Sequence, residues 1–209
     1  MVDLSKKRIR YIEICRNYVE LYQFSNAKEQ QVISSGILNF IWNSWNHFWR
    51  EYWICHISGG LDFNRNRIPG IFPHYNEKQC CHYLLYKLGK KRVHNNGDCI
   101  IGSFQEATWG DPNIIQRIAF ELIPAYPKMS NLLSILSSYQ KEIEHFQKIR
   151  NSFIHLNNDN INGLNSISGY YIFNTSQSLI DILDSKSIIN NSKCFDHLNE
   201  NMKGLLLNI

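Results

Sequence analysis

Apolar residues recur at steps of three or four between Leu4 and Phe24, at Ile9, Ile12, Cys15, Val19 and Tyr22. That is the period of a helix with one buried face, so a first helix is expected there. SNAKEQQ breaks the pattern, and Asn26 followed three residues later by Glu29 has the form of a capping box that opens a second helix. Its apolar line, Ile33, Ile37, Ile41, Trp45, Phe48 and Tyr52, meets no proline before Ser58, Gly59 and Gly60 stop it. The result is about 30 residues, or ~45 Å of helix. From Leu61 to Thr108 the character changes: Pro69, Gly70 and Pro73 punctuate the chain, one short helix fits Lys78 to Leu88, and Asp98 to Phe104 reads as a strand. This stretch is expected to be a loop-rich insertion. Asp111 and Pro112 form a helix start, since Asp caps and Pro tolerates the first helical position; that helix ends near Leu122, before Pro124 and Pro127. Ser130 is expected to cap another, with the seam Leu132, Leu136, Tyr139, Ile143, Phe146, Arg150 and Phe153. An amphipathic stretch from Ser166 to Leu183 and a short terminal helix or tail complete the chain.

The sum is an all-α protein, an up-and-down bundle of four to five main helices with the insertion at about 61–108 after the second helix. With 209 residues the chain is long enough for a single domain, and 44% hydrophobic with 13% aromatic residues is ample material for a core. Five prolines and eleven glycines are few for an all-β sandwich or barrel. The abundance of Asn, Ile, Lys and Ser resembles the usage of an AT-rich genome, so polar tracts such as LNNDNINGLN carry little weight. No repeat or low-complexity linker stands out. No run approaches the ~18 apolar residues of a membrane span, and MVDLSKKRIRYIE turns acidic before a secretory run develops, so a cytoplasmic protein is expected. The six cysteines, at 15, 55, 80, 81, 99 and 194, show no regular framework and read as reduced thiols buried as small hydrophobes. A net charge of +4 permits nucleic acid as a partner without demanding it.

Arg150 on an apolar seam is the anomaly, because a buried guanidinium needs a partner or a task. Asn151 and His155 follow within QKIRNSFIHLNND, which places a permanent cation, an amide and an imidazole within about a turn and a half. That grouping suits cleavage of an RNA phosphodiester. Histidine can take the proton of a 2′-hydroxyl or give one to the leaving oxygen. Arginine can hold the phosphate and stabilise the charge gathering on it in the transition state. Such chemistry requires no metal or other cofactor. A second proton-transfer group would come from a two-fold dimer that brings two copies of the motif together.

With Arg150-Asn151-Ser152-Phe153-Ile154-His155 the chain resembles the HEPN superfamily, all-α domains that carry an Arg-x-x-x-x-His motif, often with a polar residue directly after the Arg. The resemblance covers helix two and the region from Asp111 to Leu183. It implies a metal-independent endoribonuclease acting as a homodimer, with a composite site leaving 2′,3′-cyclic phosphate and 5′-hydroxyl ends. It also implies service as a toxin or antiviral defence effector, with an antitoxin or sensor protein as a further partner. Arg150, His155 and Asn151 are then the catalytic residues.

Other readings compete. Arg50 to His56 and Arg67 to His74 have similar spacings, and Arg150 could instead be a structural cation paired with Glu142, Glu144 or a carboxylate from helix two, with His155 only ending its helix. Trp42, Trp45, Trp49 and Trp53 would serve as core or dimer contact, or as a surface for stacked bases. Arg50, Glu51 and His47 could flank a cleft. Lys90, Lys91 and Arg92, with His94, are candidate contacts to RNA phosphates, although cations also offset the dipole of a preceding helix. A zinc site from Cys55, His56, Cys80, Cys81, His82, His94 and Cys99 lacks any Cys-x-x-Cys pair and is not favoured. The functional alternative to a nuclease is a non-catalytic helical module that binds RNA or a partner protein.

Overall fold

The structure, a computed structural model, describes residues 1–89, 106–155, 158–173 and 178–209. It is mostly helical, and the chain divides into two compact units. Among the described residues no helix is long and apolar enough to cross a membrane.

One unit comprises Met1–Tyr11 and Ser44–Leu136. It holds the start of α1 (Leu4–Phe24) and the second half of α2 (Ala27–Ser58), then α3 (Glu77–Lys87), α4 (Pro112–Leu122) and α5 (Met129–Ser137). Three two-residue strands, β1 (Val2–Asp3), β2 (Gly60–Leu61) and β3 (Arg67–Ile68), form a small sheet with β1 parallel and β3 antiparallel to the central β2. Trp45, Trp49 and Trp53 are buried and meet in succession at 5.5 Å between ring centroids. Full burial of a large apolar side chain stabilises a fold by about 1.5–3 kcal/mol. These tryptophans are therefore core, and the base-stacking alternative does not hold for them. Trp45 also donates Nε1–H to Gly110 O at 2.8 Å, an approach that a side chain at 110 would block, since its Cβ would lie 2.2 Å from the Trp45 ring.

The other unit comprises Ile12–Asn43 and Ser137–Ile209. It contains the remainder of α1 and α2, α6 (Gln140–Ile154), α7 (Asn158–Asn165), α8 (Leu179–Asp184) and α9 (Cys194–Asn208). A two-stranded ladder pairs β4 (Tyr171–Ile172) with β5 (Lys186–Ser187). α6 packs on α7 and α9. Trp42 stacks on Phe146 at 6.1 Å, and Tyr22 meets Phe195 at 4.9 Å.

Helix starts follow local chemistry closely. Asn26 Oδ1 accepts from the Glu29 amide at 3.1 Å while Glu29 accepts from the Asn26 amide at 2.9 Å, which completes the capping box. Asp111 caps α4 with Pro112 in its first turn. Asn76 and Gln79 form a further capping box at α3, one residue ahead of the expected start.

Several expectations are corrected. The seam from Leu132 to Phe153 is two helices, α5 and α6, broken at Ser138 and Tyr139, where successive serines weaken helix propensity. Ser130 lies inside α5, its hydroxyl bonded to Pro127 O at 2.8 Å, and caps nothing. On α6 the buried line is Ile143, Phe146, Ile149 and Ser152, with Arg150 and Phe153 half-buried at its edge. Ser166–Leu183 is not one helix: Ser166, Ser168 and Gly169 favour turns, and a turn, β4 and α8 take its place. The polar tract that carried little weight contains α7, and the C-terminus is a 15-residue helix. Cys15, Cys55, Cys80, Cys81 and Cys194 are buried. Cys99, His94, the strand expected at 98–104 and the basic run Lys90, Lys91 and Arg92 lie outside the described residues.

Candidate functional site

Arg150 occupies the penultimate turn of α6, and the end of that helix is tightly specified. The His155 amide donates to Asn151 O at 2.8 Å, the last helical bond, after which His155 leaves helical geometry at φ −120° and ψ 83°. Its freed carbonyl accepts from Asn160 Nδ2 at 2.9 Å. The Ser152 hydroxyl lies 2.9 Å from both Lys148 O and Asn160 O, which ties α7 back onto α6. Orphan carbonyls at a helix end need such donors. The consequence is that the backbone of His155 is held from both sides while its imidazole stays exposed.

The Arg150 guanidinium is held by two side-chain amides. Nη1 donates to Asn151 Oδ1 at 2.9 Å and Nη2 to Asn39 Oδ1 at 2.6 Å. Nε is buried and has no acceptor among the described residues. Among the described residues no carboxylate lies within 4.0 Å of Arg150, neither Glu142 nor Glu144 nor any from α2. The structural ion pair therefore does not form there, and Glu144 instead accepts from Gln140 at 2.8 Å. Loss of solvent lowers the pKa of Arg150 from its usual value, and no counter-charge among the described residues offsets that cost. Arg150 is thus a partly desolvated cation held by neutral amides, an environment in which a negatively charged group would be a favourable partner.

Arg50, on α2, is the opposite case. Its Nε lies 3.0 Å from Glu106, and Nη1 reaches Glu77 at 3.2 Å and Glu51 at 3.4 Å. Glu51 is nearly buried and also pairs with Lys7 at 3.0 Å. His56 is buried, its Nδ1 2.8 Å from Tyr52 O, and burial pushes its pKa down to about 4. Neither side chain is available for chemistry. Arg67 is exposed on β3, and His74 lies beyond Pro69 and Pro73 rather than on a shared helix. An open cavity of about 830 Å³ in the first unit is lined by Lys6, Lys7, Glu51, Arg67 and Glu77 among others, and contains none of Arg150, Asn151 and His155.

The structure thus joins Arg150 to Asn151 and places His155 at the end of the same helix. It adds Asn39, Ser152 and Asn160, which the sequence reading did not single out. Asn39 carried a weak signal, as the one amide in the apolar run from Ile37 to Trp42. Ser152 and Asn160 carried none, because their partners are backbone carbonyls. Among the described residues no three His, Cys, Asp or Glu side chains group to hold a metal ion. Comparison with protein-family models, curated proteins and solved structures finds no match for this chain.

Proposed function

We propose that this protein is a metal-independent endoribonuclease of HEPN type, an up-and-down helical bundle working in the cytoplasm as a toxin or antiviral defence effector. The observation that carries the reading is the half-buried guanidinium of Arg150, held by two neutral amides with no carboxylate against it among the described residues, one turn before an exposed histidine. Arg150 binds the scissile phosphate and stabilises its added negative charge in the transition state. His155 takes the 2′-hydroxyl proton as that oxygen attacks phosphorus, or donates a proton to the departing 5′-oxygen. The products are a 2′,3′-cyclic phosphate and a 5′-hydroxyl. One chain offers one such imidazole, so the second proton transfer falls to His155 of a second copy across a two-fold axis. Lys90, Lys91 and Arg92 supply further phosphate contacts.

The test is incubation of purified protein with RNA in EDTA, with the ends of any products identified by mass. Cleavage to cyclic phosphate, lost in Arg150→Ala and in His155→Ala, is the expected result. Binding without cleavage would favour a non-catalytic RNA-binding module. Equal cutting by both variants and the parent would remove Arg150 and His155 from the site.

A further inference from the structure

The geometry points to Asn39 as the positioning residue of this site: its amide oxygen fixes the Arg150 fork from α2 without neutralising it, so the full charge remains for a phosphate oxygen. The inference rests on Arg150 being the phosphate-holding group. Among the described residues two acceptors touch the guanidinium, and both are uncharged. Asn151 is the neighbour of Arg150 on α6 and moves with it. Asn39 is 111 residues away, on another helix, and its 2.6 Å bond fixes Nη2 in space. An amide oxygen orients a guanidinium through a hydrogen bond but carries no net charge, whereas a carboxylate in the same place would form a bidentate-capable ion pair and compete with phosphate. Guanidinium presents five N–H donors; among the described residues the two amides engage one at Nη1 and one at Nη2, which leaves a second N–H on each of these nitrogens for a phosphate oxygen. Asn39 therefore decides whether Arg150 is a clamp for an external anion or an internal ion pair.

The full-length chain is used throughout, with circular dichroism confirming that each variant folds. Binding is measured on uncleavable 2′-O-methyl RNA as a function of KCl, and cleavage on the corresponding RNA. Asn39→Asp is nearly isosteric and adds only charge. It is expected to lower the slope of log K against log salt by about 0.7, one phosphate contact on a single strand, as Arg150→Ala does. Its cleavage should fall by about 100-fold. Asn39→Ala removes the anchor without adding charge. It should keep the wild-type salt slope, lower kcat by about tenfold with little change in KM, and add nothing further in an Arg150→Ala background.

If both Asn39 variants match wild type while Arg150→Ala does not, Asn39 has no positioning role and the nuclease reading stands. An additional loss from Asn39→Ala in the Arg150→Ala background also overturns the role, because Asn39 would then act by another route. If Arg150→Ala itself behaves as wild type, the assignment of Arg150 fails and Asn39 falls with it. Should wild type bind no RNA, inorganic phosphate serves as probe. A rise in Tm over chloride at matched ionic strength, lost in Arg150→Ala and Asn39→Asp, supports the role of Asn39; an equal rise in all variants overturns it.

Discussion

Arg50 and Arg150 each lie on a long helix with a histidine a few residues downstream, yet the surroundings turn one pair into a structural joint and leave the other open. Around Arg50 three carboxylates converge, and one of them, Glu106, also accepts from Trp109 Nε1 at 2.8 Å. Its downstream histidine, His56, is sealed against Tyr52 and Tyr126. Around Arg150 the acceptors among the described residues are amides, and the downstream histidine faces solvent. Residue type and spacing are nearly the same in the two places. What separates them is counter-charge and exposure, and these decide whether a cation and an imidazole can meet a substrate.

The largest effect that tests this contrast is on cleavage. Arg150→Ala and His155→Ala should each reduce the rate by about 100-fold or more, the scale set by losing an electrostatic stabiliser or a general acid-base group. Arg50→Gln should leave cleavage within a few fold among molecules that remain folded. Loss of cleavage in folded Arg50→Gln, with Arg150→Ala active, would reverse the assignment of the two regions.

Acid sharpens the contrast next. Burial holds His56 in the first unit and His145 in the second at a pKa of about 4, below the usual 6.5. The unfolded chain then binds more protons than the folded one, so stability is complete above about pH 6.5 and declines as pH falls toward 4, where it levels off. The shift corresponds to at most about 3 kcal/mol for His56, and to less for His145, where solvent screens more of it. Urea unfolding at pH 7 and pH 4.5 should show the loss, and His56→Gln should show less of it. A pH-independent midpoint over that range would contradict the buried, neutral state of His56.

Arg50→Gln should itself lower stability by about 2 kcal/mol, because Glu51 stays nearly buried with Lys7 as its remaining partner. Denaturant unfolding measures this directly, and an unchanged midpoint would show that the three carboxylates contribute nothing as a joint. The smallest effect is at Asn26→Ala, which removes the α2 capping box and should cost about 1 kcal/mol without altering cleavage.

Much of the secondary structure was legible because it depends on neighbours in the chain. Asn26 with Glu29, and Asp111 ahead of Pro112, accept from their own helix amides within four residues, so their patterns predict the observed starts. The errors arose where local helix breakers or a tertiary contact outweighed periodicity. Leu132 to Phe153 keeps a helical period across Ser138 and Tyr139 although the helix stops there. The Asn-rich segment forms α7 because Ser152 and Asn160 tie it to α6 and Leu164 is buried. Of the candidate site, Arg150, Asn151 and His155 could be read from the chain, whereas Asn39 could not.

By itself the sequence determined a helical protein and a short list of arginine and histidine pairs, since periodicity, caps and residue chemistry act over a few positions. Only the tertiary structure decided which arginine was neutralised. Glu77 and Glu106 reach Arg50 from 27 and 56 residues away, while Arg150 receives an amide from 111 residues away. Electrostatic energy depends on separation in space rather than along the chain, so the fate of each charge was settled by folding.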